Sequence, residues 1–391
     1  MTIISPRAAG ARLGAFYAAS FLVVGIQSPF WPVWLAGRGL GAREIAALFA
    51  ATIWVKVATT PLIGALADRL GRRRAMMTVL AGIAWLGYAS LWQAHGFGTL
   101  LGLTVIAGAA QSAVMPLGDS ITLAAVRRDG LDYGRVRVWG SVSFILAAMA
   151  SGALLSNRAG LNLGGDTVLV LVLAASALLW IACLAVPPPP REAMGPPRLS
   201  ALGAMARDRR FWGFVAAAAA IQASHQVYYG FGTLYWRSLG FSDATIGCLW
   251  AEGVVAEIVL FWQGGRLLAR LGPLGLMATG AAAGILRWGL AGLIPGLLPA
   301  AVLQLLHALT FGATHLGAMN FLSRTVPPGA SASAQALYSG SSAGIGSGIV
   351  MLGAGALYAS YGGHAYLFMA ALSALGLACV ARLAKAKAAP R

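Results

Sequence analysis

The fold class that the sequence predicts is an all-α integral membrane protein, with twelve transmembrane helices arranged as two pseudo-symmetric six-helix bundles. Three observations predict it. The 391 residues are 59% hydrophobic and only 10% charged, whereas a soluble domain carries about 25% charged residues. A membrane helix needs roughly 20 apolar residues, so with short loops this length accommodates about twelve. The net charge of +17 is placed unevenly along the chain. Arg38, Arg43, Arg158 and Arg237 fall at outer helix ends, Lys56 and Arg287 fall inside spans, and the remaining Lys and Arg fall in cytoplasmic loops and tails. That distribution is a topology signal with anionic lipid as its partner, and it excludes nucleic acid as the reason for the charge. The third observation is that the chain repeats itself.

The repeat centres on the stretch from Gly64 to Arg74, which packs Asp68, four arginines and two glycines between two apolar runs. Between membrane helices such a loop lies in water or headgroups, and its arginines put it on the cytoplasmic side. Its skeleton of Gly64, Arg69, Leu70 and Gly71 returns 201 positions later as Gly265, Arg270, Leu271 and Gly272. At the same offset Gly39 and Ile45 line up with Gly240 and Ile246. Two alignments at one offset indicate a duplicated half, a pattern typical of secondary transporters.

In chain order, helix 1 is expected at about 13–36, ending in Pro29–Trp34, an aromatic belt of Phe30, Trp31 and Trp34 interrupted by Pro32. A basic start followed by an apolar run resembles a signal peptide. This run is too long and leads into a second span, so it is read as an uncleaved helix. Helices 2 and 3 follow at about 43–67 and 74–93. Helix 4, at about 97–124, is expected to break at Pro116. Helix 5 begins near Arg137, and helix 6 covers about 166–186. Residues 187–210, rich in Pro and Arg, read as a stiff solvated linker. The domains are therefore 1–186 and 211–391, parallel halves with both termini cytoplasmic. Helices 7 to 12 are expected at about 211–236, 243–263, 273–292, 296–322, 332–358 and 363–383. The glycine-rich run Gly340–Gly348 reads as a close-packing face. Cys183, Cys248 and Cys379 show no metal or disulfide spacing.

An ionisable residue inside a span costs about 2.5–3.5 kcal/mol on insertion scales, so each one needs a partner or a wet cavity. Asp119 and Arg137 lie at the end of helix 4 and the start of helix 5. They are either a salt bridge or a cavity pair that also touches substrate. Glu252 and Glu257 share helix 8 but point about 140° apart; Glu257, among Val254, Val255 and Ile258, is the favoured proton carrier. Arg287 has no acid one turn away on its own helix. Its partner must come from another helix or from an anionic substrate. His307 and His315 fall on one face of helix 10 with Gln304 and Asn320, and a histidine there can relay protons. No metal site is expected. Lys56, deep in helix 2, joins Gln27, Gln111, His225, Tyr228 and Tyr229 in the polar inventory. The two tyrosines are placed to stack on a ring or to pack between helices.

The stretch Gly64–Arg74 resembles the cytoplasmic motif G-x-x-x-D-R-x-G-R-R/K-R/K of the major facilitator superfamily. On that resemblance Gly64, Asp68, Arg69, Gly71 and Arg72 form a conformational-gating loop. A closer resemblance is to the branch of lactose permease, phenylpropionate permease and nucleoside–proton symporters. Ser28–Leu35 resembles its F-P-F-F-P-x-W-L, and Leu131–Gly140 its F-x-F/Y-G-R-x-R-x-F/W-G. The resemblance puts Asp119 and Arg137 on the acid and arginine that bind sugar in lactose permease. It puts Arg287 and His307 on the arginine and histidine of its proton coupling, with Glu252 near the helix 8 glutamate. Two positions depart from the pattern. The family's helix 10 glutamate is Thr310 here and its lysine is Gln304, so Glu257 is the substitute proton acceptor and lactose is disfavoured. Stretches around His225, Glu257 and His307 lean toward the phenylpropionate type.

These readings imply proton-coupled uptake of a small organic solute, with an aromatic carboxylate such as 3-phenylpropionate favoured. A sugar or nucleoside symporter, or drug efflux by the same fold, is the alternative. Substrate contact is expected at Gln27, Lys56, Asp119, Arg137, His225, Tyr228, Tyr229 and Glu252, and proton coupling at Glu257, Arg287, His307 and His315. No enzyme activity or cofactor is expected beyond the proton gradient. The expected setting is a monomer in a bacterial-type inner membrane, with lipid, protons and one small molecule as partners.

Overall fold

The computed structural model describes residues 5–156, 164–187, 207–326 and 331–388. Most of the Pro/Arg-rich linker, 188–206, lies outside the described residues, as does Arg158. Every regular element among the described residues is helical. Twelve rods follow one another: α1 (Pro6–Gly37), α2 (Ala42–Leu70), α3 (Arg73–Ser90), α4 (Phe97–Asp129), α5 (Tyr133–Ser156), α6 (Thr167–Ala185), α7 (Arg209–Ala223 and Gln226–Ser238), α8 (Asp243–Trp262), α9 (Gly264–Leu293), α10 (Leu297–Leu305, Ala308–Ala313 and Thr314–Thr325), α11 (Ser331–Ser339, Gly340–Gly346 and Ser347–Tyr361) and α12 (Ala365–Ala388).

Ten described stretches are long and apolar enough to cross a membrane. One of them, Leu337–Lys385, holds most of α11 together with α12, and α7 is not among the ten because it is broken. Its break at Ser224 and His225 has an identifiable cause. Ser224 Oγ donates to the Ile221 carbonyl at 2.7 Å and accepts Trp288 Nε1 at 3.1 Å, which diverts the turn away from a continuous ladder. Large apolar side chains face outward all along the rods, among them Leu62, Trp262 and Leu298. Such a surface suits lipid, and the protein is a multi-pass membrane protein.

The helix ends follow the sequence. Ser5 caps α1 by accepting Ala8 N–H at 3.3 Å, with Pro6 in the first turn. Glu44 Oε2 accepts the Gly41 N–H at 2.9 Å and opens α2. The 201-residue repeat reappears as geometry. Gly39 and Gly240 both take left-handed backbone, at φ 88° and 83°. Behind them Leu40 N–H reaches Leu35 O at 3.2 Å and Phe241 N–H reaches Trp236 O at 3.1 Å. These are the same six-to-one bond, which closes a helix where glycine tolerates positive φ. Gly71 and Gly272 share only the positive φ, at 61° and 66°: Arg72 N–H reaches Ala67 O at 3.3 Å behind the first, whereas Pro273, which has no N–H, follows the second.

Several helix limits differ from expectation. The Gly64–Arg74 stretch is mostly helix: Gly64, Asp68 and Arg69 belong to the last turns of α2, and only Gly71 and Arg72 lie between helices. Its counterpart, Gly265–Leu271, is a helical arm that bends at Gly272 before Pro273. α4 runs through Pro116 without a break. α10 and α11 each carry a π-helical segment, Ala308–Ala313 and Gly340–Gly346. Such segments are rare and concentrate at functional sites.

The chain forms two compact units, Met1–Met194 with Ser242–Ala251, and Gly195–Phe241 with Glu252–Arg391. In the first, α1 packs on α5 and α6, and α3 packs on α4 and α6. In the second, α7 packs on α11 and α12, and α9 packs on α10 and α12. The duplication therefore extends to helix pairing: first on fifth and sixth, third on fourth and sixth. Within lipid, such contacts are held by close packing and not by the hydrophobic effect. The glycine-rich segment of α11 packs on α7, as a small-residue face should. At the α9–α10 crossing, a Cβ on Gly280 would overlap Thr314 Oγ1 and stand 2.8 Å from the Leu309 carbonyl oxygen. Gly280→Ala is expected to cost about 1–3 kcal/mol through this overpacking, read as a lower unfolding temperature in detergent.

Candidate functional site

The first unit holds a cavity of about 300 Å³. α1 contributes Ser20, Val24, Gln27 and Ser28 to its wall, at the spacing of a single helix face. Lys56 comes from α2, Tyr88 from α3, and Gly108, Gln111, Ser112 and Met115 from α4. Tyr88 donates its hydroxyl proton to Gln111 Oε1 at 2.6 Å, and the Gln27 side chain hydrogen-bonds the same hydroxyl. Ser112 pairs with Thr60 at 3.1 Å. Lys56 lies beside Gly108, its Cε 3.8 Å from where a Cβ on that glycine would stand. Among the described residues the ammonium has no hydrogen-bond or ion-pair partner, and no carboxylate lines the cavity. An uncompensated cation inside a span is costly. Here it faces a polar space large enough for a small ligand.

Asp119 and Arg137 do not form the salt bridge that their positions suggested. Tyr17 of α1 stands between them. Its hydroxyl donates to Asp119 Oδ1 in a short bond, and its ring lies under the Arg137 guanidinium at 5.1 Å. Phe21 is closer still, at 4.2 Å. Tyr133 adds a weaker 3.4 Å bond to Asp119. Arg137 is thus held by two aromatic faces. Phe16 packs edge-on against Tyr17, at the point where α1 crosses Gly118 of α4.

The second unit is organised around Arg287 on α9, which is 1% exposed. Nη1 donates to His307 Nδ1 and to Thr310 Oγ1, both at 3.0 Å, and Nη2 donates to Gln304 Oε1 at 2.5 Å. The guanidinium lies 4.3 Å from the Trp288 ring centroid and 4.9 Å from that of Tyr228. Gln304 Nε2 donates to the Tyr228 hydroxyl at 3.0 Å. The Tyr228 side chain also hydrogen-bonds the guanidinium, and all of these partners are neutral. Because His307 Nδ1 accepts from Arg287, its proton sits on Nε2, which faces Glu257 Oε2 at 4.0 Å. Glu257 packs against Gly312, and His307 packs against Gly253. The two residues that depart from the family pattern, Gln304 and Thr310, thus serve as direct ligands of the arginine.

The other expected site residues are placed as follows. His225 is fully buried; Nδ1 donates to the Ile221 and Gln222 carbonyls at 3.2 Å, and Nε2 accepts Thr310 Oγ1 at 3.1 Å. Both its nitrogens are occupied by protein, so it supports Thr310, and it does not line the Lys56 cavity. Tyr228 lies under Arg287, and Tyr229 stacks on His225 at 5.7 Å. His307 and His315 do not meet, because Phe311 is stacked between them at 5.6 and 6.1 Å. Glu252 is half-buried. At the end of α2, Asp68 pairs with Arg73 at 2.7 Å. Tyr17 and Ser20 were not singled out from sequence, although both lie on the same apolar helix as Gln27. The helical spacing back from Gln27 was the one available signal for Ser20.

The model of the MFS_1-like family matches residues 11–370. The chain belongs to that family. It is a secondary transporter of the major facilitator class and not an enzyme. Among its relatives is the "Probable 3-phenylpropionic acid transporter" of Escherichia coli (strain K12), 31% identical over 92% of this chain and 93% of its own. The "Maltose permease" of Geobacillus stearothermophilus is 28% identical, over 95% of this chain and 93% of its own. Among solved structures, the nucleoside transporter NupG shares the fold with a TM-score of 0.85 at 18% identity, covering 96% of this chain and 99% of its own. A bacterial homologue of the human lysosomal transporter Spinster, in its inward-facing occupied form, gives 0.77 at 15%, covering 98% of both.

Proposed function

We propose that this transporter imports a small aromatic carboxylate together with a proton. The observation that carries the reading is the Lys56 ammonium, which has no partner among the described residues, on a polar cavity with no acid among its described lining residues. The cavity offers a site for one carboxylate, with the Gln111 amide as a second donor and Val24, Val114, Met115 and Leu179 as apolar surface for a ring. The name of the Escherichia coli relative supports the same class.

Coupling follows from charge balance in the second unit. Arg287 bonds only neutral groups, and the nearest carboxylate, Glu257, reaches it through His307. A proton taken up by Glu257 removes that negative charge. The transporter then favours an added anion, so proton and carboxylate promote each other's binding; by linkage the effect is reciprocal. Rocking of one six-helix half against the other carries both inward. In this reading the protein works as a monomer in a bacterial inner membrane, with both termini in the cytoplasm.

The substrate class is tested by competition in proteoliposomes. Unlabelled 3-phenylpropionate, a β-glycoside and a nucleoside are set against labelled 3-phenylpropionate. Competition by the aromatic acid alone is expected. Uptake of the glycoside or the nucleoside in its place would move the site to hydroxyl recognition at Asp119. Drug sensitivity of cells lacking the protein would point to efflux.

A further inference from the structure

Besides Lys56 itself, a second polar group on the Lys56 cavity has no partner among the described residues. Ser20 is 4% exposed, it lines the cavity, and among the described residues its Oγ has no hydrogen-bond partner. Several serines elsewhere in these helices bond back to their own turn, Ser90 to Leu86, Ser151 to Ala147 and Ser176 to Val172, while Ser373, away from this cavity, does not. Ser20 does not either, and a buried hydroxyl left unpaired costs free energy. It sits seven residues before Gln27 on α1, about 10 Å along the axis at 1.5 Å per residue. Gln27, Tyr88 and Gln111 form one connected level of the wall, and Lys56 approaches Gly108, three residues before Gln111 on α4. Consecutive short-looped helices alternate in direction, so α4 runs opposite to α1. The Lys56 end and the Ser20 end therefore lie on opposite sides of that level. The wall between them is contributed by Val24, Val114 and Met115.

We infer that the cavity is built for an aryl carboxylate whose ring carries a hydroxyl, with Lys56 and Gln111 taking the carboxylate, the apolar wall taking the ring, and Ser20 taking the ring hydroxyl. The inference rests on the proposed carboxylate reading and adds the polar substituent to it. The hydroxyl supplies the partner that Ser20 lacks, and the acid without it leaves Ser20 unpaired. Selectivity for the hydroxylated acid arises from that difference, because a site built to hydrogen-bond a hydroxyl rejects an analogue that lacks one.

The test uses the full-length transporter in proteoliposomes. Uptake of labelled 3-phenylpropionate is competed by 3-phenylpropionate, 3-(3-hydroxyphenyl)propionate and 3-(4-hydroxyphenyl)propionate, for the native chain and for Ser20→Ala. In the native protein one of the hydroxylated acids is expected to compete about 2- to 12-fold better than the parent, the range of one neutral hydrogen bond. Ser20→Ala is expected to shrink that ratio toward one. Equal competition by all three acids in the native protein overturns the inference and leaves the carboxylate reading standing. So does a preference that Ser20→Ala does not change. Absence of uptake of any of the three acids overturns both.

Discussion

Glu257→Gln is expected to abolish accumulation of substrate against its gradient while leaving exchange of external for internal substrate intact. Glutamine keeps the size and hydrogen-bonding capacity of the protonated acid but cannot release a proton. Glu257 is the carboxylate nearest His307 in the Arg287 cluster, with 4.0 Å between Oε2 and Nε2. Fixing that position as neutral leaves the substrate-competent state available and removes the step that returns the proton. Counterflow, which needs no net proton movement, should proceed, whereas uptake driven by a pH gradient should level off at equilibration. Loss of both activities would mean that Glu257 supports the fold or the binding site. Retention of both would move the coupling proton elsewhere.

Lys56→Gln is expected to raise the KM for an aryl carboxylate roughly 10- to 100-fold, because a hydrogen bond to a charged group contributes about 1.5–3 kcal/mol. The substitution also removes the unpaired cation from the span, so stability should not fall. Uptake rates and unfolding temperatures measured on one preparation separate the two effects. Lys56→Arg is not a neutral control, since a planar fork replaces a compact point charge at the Gly108 wall. An unchanged KM in Lys56→Gln would take the carboxylate away from this cavity.

The fold was legible because its determinants are local or compositional. Apolar runs of membrane length and the bias of arginine between loops need no knowledge of packing. The glycine pairs Gly39/Gly240 and Gly71/Gly272 were visible as a 201-residue echo, and each pair adopts the same positive φ because only glycine does so without strain. Arg287 was legible for a related reason: a buried charge with no partner on its own helix must find one elsewhere, and it found His307 on α10.

Other features depended on contacts between distant residues. Asp119 and Arg137 look like a pair on charge alone, and nothing in their spacing reveals that Tyr17, 102 residues before Asp119, stands between them. Its position is set by the fit of Phe16 against Gly118. The break in α7 carries no Pro or Gly; it follows from Ser224 accepting a bond from Trp288 on another helix. The glycines and charges of Gly64–Arg74 suggest a longer loop than forms, because Gly64, Asp68 and Arg69 continue the helical ladder of α2 up to Leu70. There Asp68 and Arg73 pair across a two-residue turn. His307 and His315 share a face as expected, but the aromatic ring placed between them separates two groups that spacing alone would join.

The most direct test of the central claim is uptake of labelled 3-phenylpropionate into proteoliposomes containing the full-length chain, with and without an inwardly directed proton gradient. The account predicts accumulation above equilibrium under the gradient, and its collapse to equilibration when a protonophore is added. Uptake that is indifferent to the gradient and to the protonophore would contradict proton coupling, and absence of uptake with the gradient intact would contradict the aromatic carboxylate.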